Sequence, residues 1–191
     1  MKGRILVIRG GAIGDFVLTL PVLTALRRHF PEAHLEVLGY PHIAGLALAG
    51  GLADAVRPLE SRALAGFFAR RGVLDPGWSA YFAGFHLIVS FLYDPDDFFR
   101  ENIGRVSGAQ YLAGCHRPAE RGAGHATDQL LRVLERLAVF EADPQPRLVL
   151  EGIAASDRVA LHPGSGSERK NWPERNWREL IDRLAGGRGL R

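Results

Sequence analysis

A short glycine-rich turn near the start of the chain ends on an acidic residue that could do chemistry. Residues 10–15 read Gly-Gly-Ala-Ile-Gly-Asp and follow directly on the apolar run of residues 4–9. A carboxylate at the mouth of a cleft can accept a proton from a substrate hydroxyl, which makes Asp15 a candidate general base. Because Asp15 also stands where a helix should begin, it could instead be an N-cap that accepts backbone amides. The sequence leaves both interpretations open, and they do not exclude each other.

The same turn is a poor match to a dinucleotide-binding fingerprint. A Gly-x-Gly-x-x-Gly motif ending at Gly14 requires glycine at position 9, where this chain has Arg9. The motif also needs an acidic residue after the second strand, and Gly39-Tyr40-Pro41 stand there instead. A nicotinamide or flavin enzyme is therefore disfavoured. That alternative predicts a bound cofactor that absorbs light.

A second segment, residues 162–170, could bind a phosphate. It reads His-Pro-Gly-Ser-Gly-Ser-Glu-Arg-Lys, and its small residues would let the backbone approach an anion while hydroxyls and amides donate hydrogen bonds. Lys170, one of only two lysines among 24 basic residues, adds a compact charge. The segment is not a Walker loop, because Asn171 follows the lysine. The predicted phosphate-binding residues are Gly164, Ser165, Gly166, Ser167 and Lys170; the alternative is an ordinary Gly/Ser surface loop.

A third candidate is the acidic segment Asp94-Pro95-Asp96-Asp97. Its Asp-x-Asp spacing is compatible with a divalent cation that holds a diphosphate. A turn whose acids cap the following helix explains it more simply, so the sequence favours capping and leaves cation binding open. None of the seven histidines forms a close pair with metal-ligand spacing, and no metal site is expected.

Alternating strand and helix patterns would position these segments. Strands are predicted at residues 4–9, 34–38, 55–58 and 86–92, and helices at 15–30, 43–50 and 63–71, with a kink in the first helix at Pro21. This order predicts an α/β fold with a Rossmann-like, doubly wound parallel sheet. The 10–15 turn would then lie at the carboxyl end of the first strand, where such sheets bind ligands.

A proline-rich segment, residues 143–146, divides the chain after a further helix predicted at 127–140. We therefore predict a first domain over residues 1–150 and a second one over 156–191. The second would contain one strand, residues 158–162, and one helix, residues 173–185. A single strand and helix cannot bury both of their faces, so the second domain is expected to be incomplete.

Composition excludes several classes of protein. The 191 residues carry 24 Lys+Arg against 21 Asp+Glu, a net charge of +3 without a dense basic face, so no nucleic-acid partner is expected. The single cysteine, Cys115, cannot form an internal disulfide, which favours a cytoplasmic location. No apolar run is long enough for a signal peptide or a membrane span. Any membrane association would therefore be peripheral.

Two blocks of this sequence form a recognisable combination. The first is residues 5–15, Ile-Leu-Val-Ile-Arg-Gly-Gly-Ala-Ile-Gly-Asp, with Leu-Pro-Val-Leu at 20–23; the second is Leu-His-Pro-Gly-Ser at 161–165 with Lys170, Trp172-Pro173 and Trp177. Together they resemble glycosyltransferase family 9, whose members include the ADP-heptose:lipopolysaccharide heptosyltransferases. The resemblance implies a GT-B enzyme, with two Rossmann-like domains facing each other across a cleft. The first domain would take the acceptor and the second the nucleotide sugar.

The resemblance also implies roles for single residues. Asp15 would be the general base, the acceptor loop would comprise Gly10, Gly11, Ala12, Ile13 and Gly14, and the Gly-Ser loop with Lys170 would hold the donor diphosphate. The implied reaction is inverting transfer of a heptose from a donor such as ADP-heptose to a lipopolysaccharide core acceptor, with no cofactor and no obligatory metal.

The chain departs from the family pattern in one respect. In the family, the groups that bind the nucleoside and much of the sugar lie in a part of the second domain that has no counterpart in this sequence. The alternative interpretation is therefore an inactive truncated fragment that acts at most as a binding module. Self-association through the incomplete second domain and peripheral contact with the inner membrane are left open.

Overall fold

The computed structural model describes residues 3–119, 124–150, 152 and 158–188. The chain divides into two compact units, residues 1–151 and residues 152–191. Among the described residues, no helix combines the length and the apolar character that crossing a bilayer requires.

The first unit is built on a five-stranded parallel sheet with the order β3-β2-β1-β4-β5. The strands are β1 (Arg4–Arg9), β2 (His34–Gly39), β3 (Ala55–Pro58), β4 (Leu87–Ser90) and β5 (Gln110–Ala113). In the centre, Val7 of β1 pairs with Val37 of β2 on one side and with Val89 of β4 on the other. This arrangement confirms the predicted doubly wound α/β fold.

Helices cover both faces of the sheet. In chain order they are α1 (Ile13–Val17), α2 (Leu20–His29), α3 (Pro41–Ala49), a 3₁₀ helix (Arg62–Phe68), α4 (Pro76–Ala83), α5 (Phe98–Gly104), α6 (Ala126–Leu131) and a second 3₁₀ helix (Arg132–Leu137). Since successive strand residues point to opposite faces, Ile5 and Val7 pack under α1, α2, α3 and α6, whereas Leu6 and Ile8 pack under the first 3₁₀ helix, α4 and α5. The two buried clusters form one core on each face.

Some predicted helices differ from those in the structure. The helix predicted at 15–30 is two helices, α1 and α2, because Pro21 lacks an amide hydrogen and is placed in the first turn of a new helix. The helix predicted at 127–140 changes to 3₁₀ geometry after Leu131 and ends at Leu137, where it is followed by Ala138 with a φ of 58°. Its N-cap is His125, which accepts a hydrogen bond from the Thr127 amide.

The second unit contains α7 (Glu174–Arg188), preceded by a one-turn 3₁₀ helix at Glu168–Lys170. The helix prediction is confirmed, and it begins one residue after Pro173, whose carbonyl accepts hydrogen bonds from the amides of Asn176 and Trp177. The strand predicted at 158–162 does not form. A strand requires a neighbouring strand for its hydrogen bonds, and the described residues of this unit contain none.

Asp54 links α2 to the sheet and makes the fold sensitive to acid. Its carboxylate accepts hydrogen bonds from the Leu35 amide at 2.7 Å and from the Arg27 guanidinium at 2.8 Å. Burial raises the pKa of Asp54, but the bonds from Arg27 and Leu35 outweigh it, so the pKa lies below the ordinary value. Because the pKa is lower in the folded state than in the unfolded state, the ionised carboxylate stabilises the fold at pH values above the ordinary carboxylate pKa. This stabilisation is lost as the pH falls through the folded-state pKa.

We therefore expect Asp54→Asn to make the free energy of unfolding less dependent on pH in the acidic range. The midpoint of urea unfolding should fall less between pH 7 and about pH 3 in the variant than in the parent, since the unfolded-state carboxylate titrates near 4. The exposed Asp96 serves as the control, because Asp96→Asn should leave the pH dependence as it is. Identical pH profiles for Asp54→Asn and the parent would contradict the prediction.

Candidate functional site

The candidate site lies where the connections from two neighbouring strands diverge. The chain leaves β1 toward α1 on one face of the sheet and leaves β4 toward α5 on the other, which opens a crevice at the carboxyl ends of the two strands. A cleft of about 350 Å³ occupies this crevice. It is lined by Arg9, Gly10, Gly11, Asp15, Tyr40, Leu59, Phe91, Leu92, Tyr93 and His116.

Asp15 faces this cleft and also caps α1. It is the third residue of α1, and its Oδ2 accepts a hydrogen bond from the Ala12 amide at 3.0 Å. The N-cap position itself belongs to Ala12, which has no side-chain acceptor, so the N-cap interpretation of Asp15 is corrected to capping from inside the helix. The side chain is 48% exposed, which leaves the carboxylate accessible from the cleft. The Asp15 carboxylate therefore caps α1 and also borders the cleft.

The glycines of the turn differ in backbone conformation and in the space available for a side chain. Gly11 has φ of +99°, and a Cβ there would lie 2.8 Å from Oδ2 of Asp15. Gly14, the second residue of α1, has open space around the position of a Cβ. Of the five residues of the predicted acceptor loop, Gly10 and Gly11 line the cleft, whereas Ala12, Ile13 and Gly14 do not. Ile13 is exposed to solvent.

We expect Gly11→Ala to disturb the turn for two reasons. Alanine is sterically strained at positive φ, and its methyl group would collide with the Asp15 carboxylate. The free energy of unfolding should fall by about 1–2 kcal/mol, which urea titration can measure. Gly14→Ala adds the same methyl group in open helical space and should be neutral or slightly stabilising. Equal stability of the two variants would show that Gly11 is not conformationally required.

Arg9 is a site residue that the sequence analysis did not identify as one. It ends β1, its side chain is 3% exposed, and it donates to the His116 carbonyl at 2.9 Å and to the Asp15 carbonyl at 3.3 Å. Burial lowers the pKa of Arg9, while the negative charge of Asp15 acts in the opposite direction. The sequence did contain a signal for Arg9 as a site residue, namely a charged residue at the end of an otherwise apolar strand. Parallel strands are usually buried and rarely carry an unpaired charge.

A second, smaller cleft of about 230 Å³ adjoins the first at the ends of β4 and β5. The rings of Tyr93 and His116, with centroids 4.7 Å apart, line both clefts. Deeper in the second cleft, burial raises the pKa of Tyr111 to about 12, although a hydrogen bond with Ser90 opposes that effect. Polar side chains therefore also line the ends of β4 and β5, next to the cleft that contains Asp15.

The acidic segment at 94–97 borders this second cleft. Within the segment, Asp94 caps the start of α5. Its carboxylate oxygens accept hydrogen bonds from the amides of Phe99 at 3.1 Å and Arg100 at 3.0 Å at the start of α5. This is the capping role that the sequence favoured. Within the described parts of the chain, no three His, Cys, Asp or Glu side chains cluster closely enough to hold a metal ion.

The Gly-Ser loop of the second unit is exposed and satisfies part of its own hydrogen bonding. The Ser165 hydroxyl donates to the Ser167 carbonyl at 2.8 Å and accepts from the Ser167 amide at 3.2 Å. Lys170 ends the short 3₁₀ helix. An open cleft of about 490 Å³ lies beside the loop, and of the predicted phosphate-binding residues only Gly164 lines it. Trp172 and Trp177 form an edge-to-face pair in its wall, with ring centroids 5.3 Å apart.

No protein-family model matches the chain, and no curated protein matches it by sequence. Solved structures do match it. A glycosyl transferase family 9 structure from Veillonella parvula DSM 2008 aligns with a TM-score of 0.69 at 16% identity, over 97% of this chain and 60% of that one.

The E. coli heptosyltransferase WaaC aligns in two structures. With ADP it gives a TM-score of 0.66 at 15% identity, over 98% of this chain and 66% of that one. The structure with ADP-2-deoxy-2-fluoro heptose gives a TM-score of 0.65 at 15% identity, over 98% of this chain and 67% of that one. This chain thus spans about three fifths to two thirds of the length of these structures. At such low identity the likeness establishes architecture, and the chain has the fold of these family 9 and heptosyltransferase structures.

Proposed function

We propose that this chain belongs to glycosyltransferase family 9 and transfers a heptose, by an inverting mechanism, from a nucleotide-diphosphate donor to a lipopolysaccharide core acceptor. The observation that carries the proposal is the Asp15 carboxylate, which is accessible in the cleft between β1 and β4 of a fold shared with a heptosyltransferase. ADP-heptose is the proposed donor, since solved structures of that fold contain ADP and an ADP-heptose analogue.

Asp15 acts as the general base in the proposed reaction. Its Oδ2 is engaged by the Ala12 amide, so Oδ1 is the oxygen that accepts the proton of the acceptor hydroxyl. The acceptor oxygen then forms a bond to the anomeric carbon of the donor sugar while the bond from that carbon to the diphosphate oxygen breaks. Attack from the side opposite the leaving group inverts the configuration, and the nucleoside diphosphate leaves with the bonding electron pair.

Lys170 and the amides around residues 165–167 stabilise the negative charge that grows on the leaving diphosphate. A protonated amine and several amide donors can do this without a metal ion, and the proposal requires no cofactor. The location of these groups on an exposed loop is compatible with a donor that arrives from solvent.

Replacing Lys170 tests the donor side. Because hydrogen bonds to charged groups are worth about 1.5–3 kcal/mol, Lys170→Met should weaken ADP binding about 10- to 100-fold in isothermal titration calorimetry. Arg169→Met removes the neighbouring exposed cation and is the matched control, for which we expect a loss of about threefold or less. Equal affinities for Lys170→Met and the parent would reject the phosphate-binding assignment.

A second candidate function is binding without catalysis. The specific observation in its favour is that, of the predicted phosphate-binding residues, only Gly164 lines the open cleft beside the Gly-Ser loop. Incubating the 191-residue chain with ADP-heptose and a heptose-free lipopolysaccharide core separates the two candidates. Formation of a heptosylated product supports the transferase, whereas saccharide binding without a product supports the binding module.

A further inference from the structure

Arg9 is a positive charge in a place where a strand of a parallel sheet normally carries an apolar side chain. The residues before it on β1, Ile5 to Ile8, are all apolar and buried. Moving a guanidinium out of water is costly, and the buried Nε of Arg9 has no hydrogen-bond partner among the residues that the structure describes, which adds to that cost. Because a well-packed apolar residue is often no less stable than a buried ion pair, packing alone does not account for arginine at this position.

The contacts of the Arg9 guanidinium converge on Asp15. Nη2 donates to the Asp15 backbone carbonyl at 3.3 Å and lies 3.7 Å from Oδ1 of the same residue. Nη1 donates to the carbonyl of His116 at 2.9 Å, so the guanidinium is anchored to the segment that follows β5. Its carbon also lies 5.7 Å from the centre of the Phe91 ring. These anchors fix the guanidinium relative to the cleft.

The Asp15 carboxylate is consequently held from two sides. The Ala12 amide holds Oδ2 at 3.0 Å, and Nη2 of Arg9 lies 3.7 Å from Oδ1. We propose that Arg9 is a positioning residue that holds the Asp15 carboxylate in the orientation in which Oδ1 meets an acceptor hydroxyl. This inference rests on the proposed function, because the orientation matters for catalysis only if Asp15 accepts the proton.

Arg9 does not take part in the proton transfer itself. A guanidinium stays protonated in proteins and has no acceptor site, so it cannot compete with Asp15 for the proton. Its effect on turnover is through geometry, and misplacing a catalytic group by about 1 Å can cost on the order of 10²-fold in rate. Removal of Arg9 should therefore lower kcat and change KM little.

A double-mutant cycle distinguishes positioning from a purely structural role. Arg9→Met removes the charge and keeps a long apolar stem, and it is made alone and together with Asp15→Ala. The readout is hydrogen exchange of the Ala12 amide, which reports the bond to Oδ2. Arg9→Met alone should accelerate this exchange on the order of tenfold, because a loosely held carboxylate protects the amide less. In the Asp15→Ala background it should have no further effect.

Arg4→Met is the matched control. Arg4 lies at the other end of β1, and its Nη2 lies 3.5 Å from Oε2 of Glu36. This variant should leave the exchange of the Ala12 amide unchanged. If Arg9→Met does not fold, Arg9→Lys takes its place, since it keeps the charge but supplies fewer donors in a different geometry. An equal acceleration with and without the Asp15 carboxylate, or none in a folded variant, overturns the inference.

Turnover is measured on the same variants to separate this inference from the proposed function. If Asp15→Ala retains normal turnover, the general-base proposal fails whatever the exchange cycle shows. If Asp15→Ala is inactive but Arg9→Met keeps a normal kcat, positioning fails and the general base stands. The inference is supported when Arg9→Met lowers kcat about 10²-fold at an unchanged KM and adds nothing in the Asp15→Ala background.

Discussion

Under the proposed function, Asp15→Asn is expected to lower the turnover of heptose transfer by about 10² to 10⁴, which is the usual contribution of general-base catalysis. Asparagine is nearly the same size as aspartate and keeps a carbonyl oxygen that can accept the Ala12 amide, so the turn should persist. What it loses is the ability to take a proton from the acceptor hydroxyl. The effect should therefore fall on kcat, and the affinity for the donor should stay within about twofold.

The measurement is a time course of heptosylated product with ADP-heptose as the donor, beside calorimetric titration with ADP. Asp96→Asn is the control, since Asp96 is an exposed carboxylate that does not line the cleft. We expect the control to keep the turnover of the parent. Near-normal turnover by Asp15→Asn would reject Asp15 as the base while leaving the fold comparison untouched.

Phe82→Ala is expected to cause the largest loss of stability. Phe82 is a fully buried residue of α4, and the centroid of its ring lies 5.0 Å from that of Phe67, 5.7 Å from that of Trp78 and 6.0 Å from that of Phe99. Its ring thus joins the first 3₁₀ helix, α4 and α5 into one layer. Truncation removes apolar contact and leaves a cavity, which together typically cost about 3–5 kcal/mol.

Phe140→Ala provides the comparison, because Phe140 is 73% exposed and the substitution is chemically the same. It should change the free energy of unfolding by less than about 0.5 kcal/mol. Urea unfolding followed by far-UV circular dichroism would measure both. Similar midpoints for the two variants would mean that the layer can repack around the missing ring.

Much of the fold could be predicted from the sequence because buried parallel strands and long amphipathic helices leave strong patterns. β1 contains an apolar run followed by a glycine-rich turn, β2 is mostly apolar and ends at Gly39, and α7 shows clear helical spacing. β5 was missed because an edge strand of four residues, with one fully buried side chain, has no distinctive periodicity. The short α4 was also missed, since it is apolar on most sides.

The candidate site was only partly predictable. Asp15 stands in a recognisable turn, but Arg9 is anchored by the His116 carbonyl, and His116 is distant in sequence and brought close by the order of the strands. The clefts beside Tyr93 depend on the same long-range arrangement. Periodicity and spacing describe local structure, so contacts between the ends of β1 and β5 could not be derived from them.

The placement of β1 between β2 and β4 has a consequence for how the protein folds. β1, α2 and β2 are consecutive and can assemble as soon as they are synthesised, whereas pairing of Ile5 with Leu87 must close a long loop. The crevice exists only once β4 has docked. We therefore expect the walls around Asp15 to assemble late in folding, and we expect the edge of β1 that pairs with β4 to have unpaired backbone groups until then, to which another chain could bind.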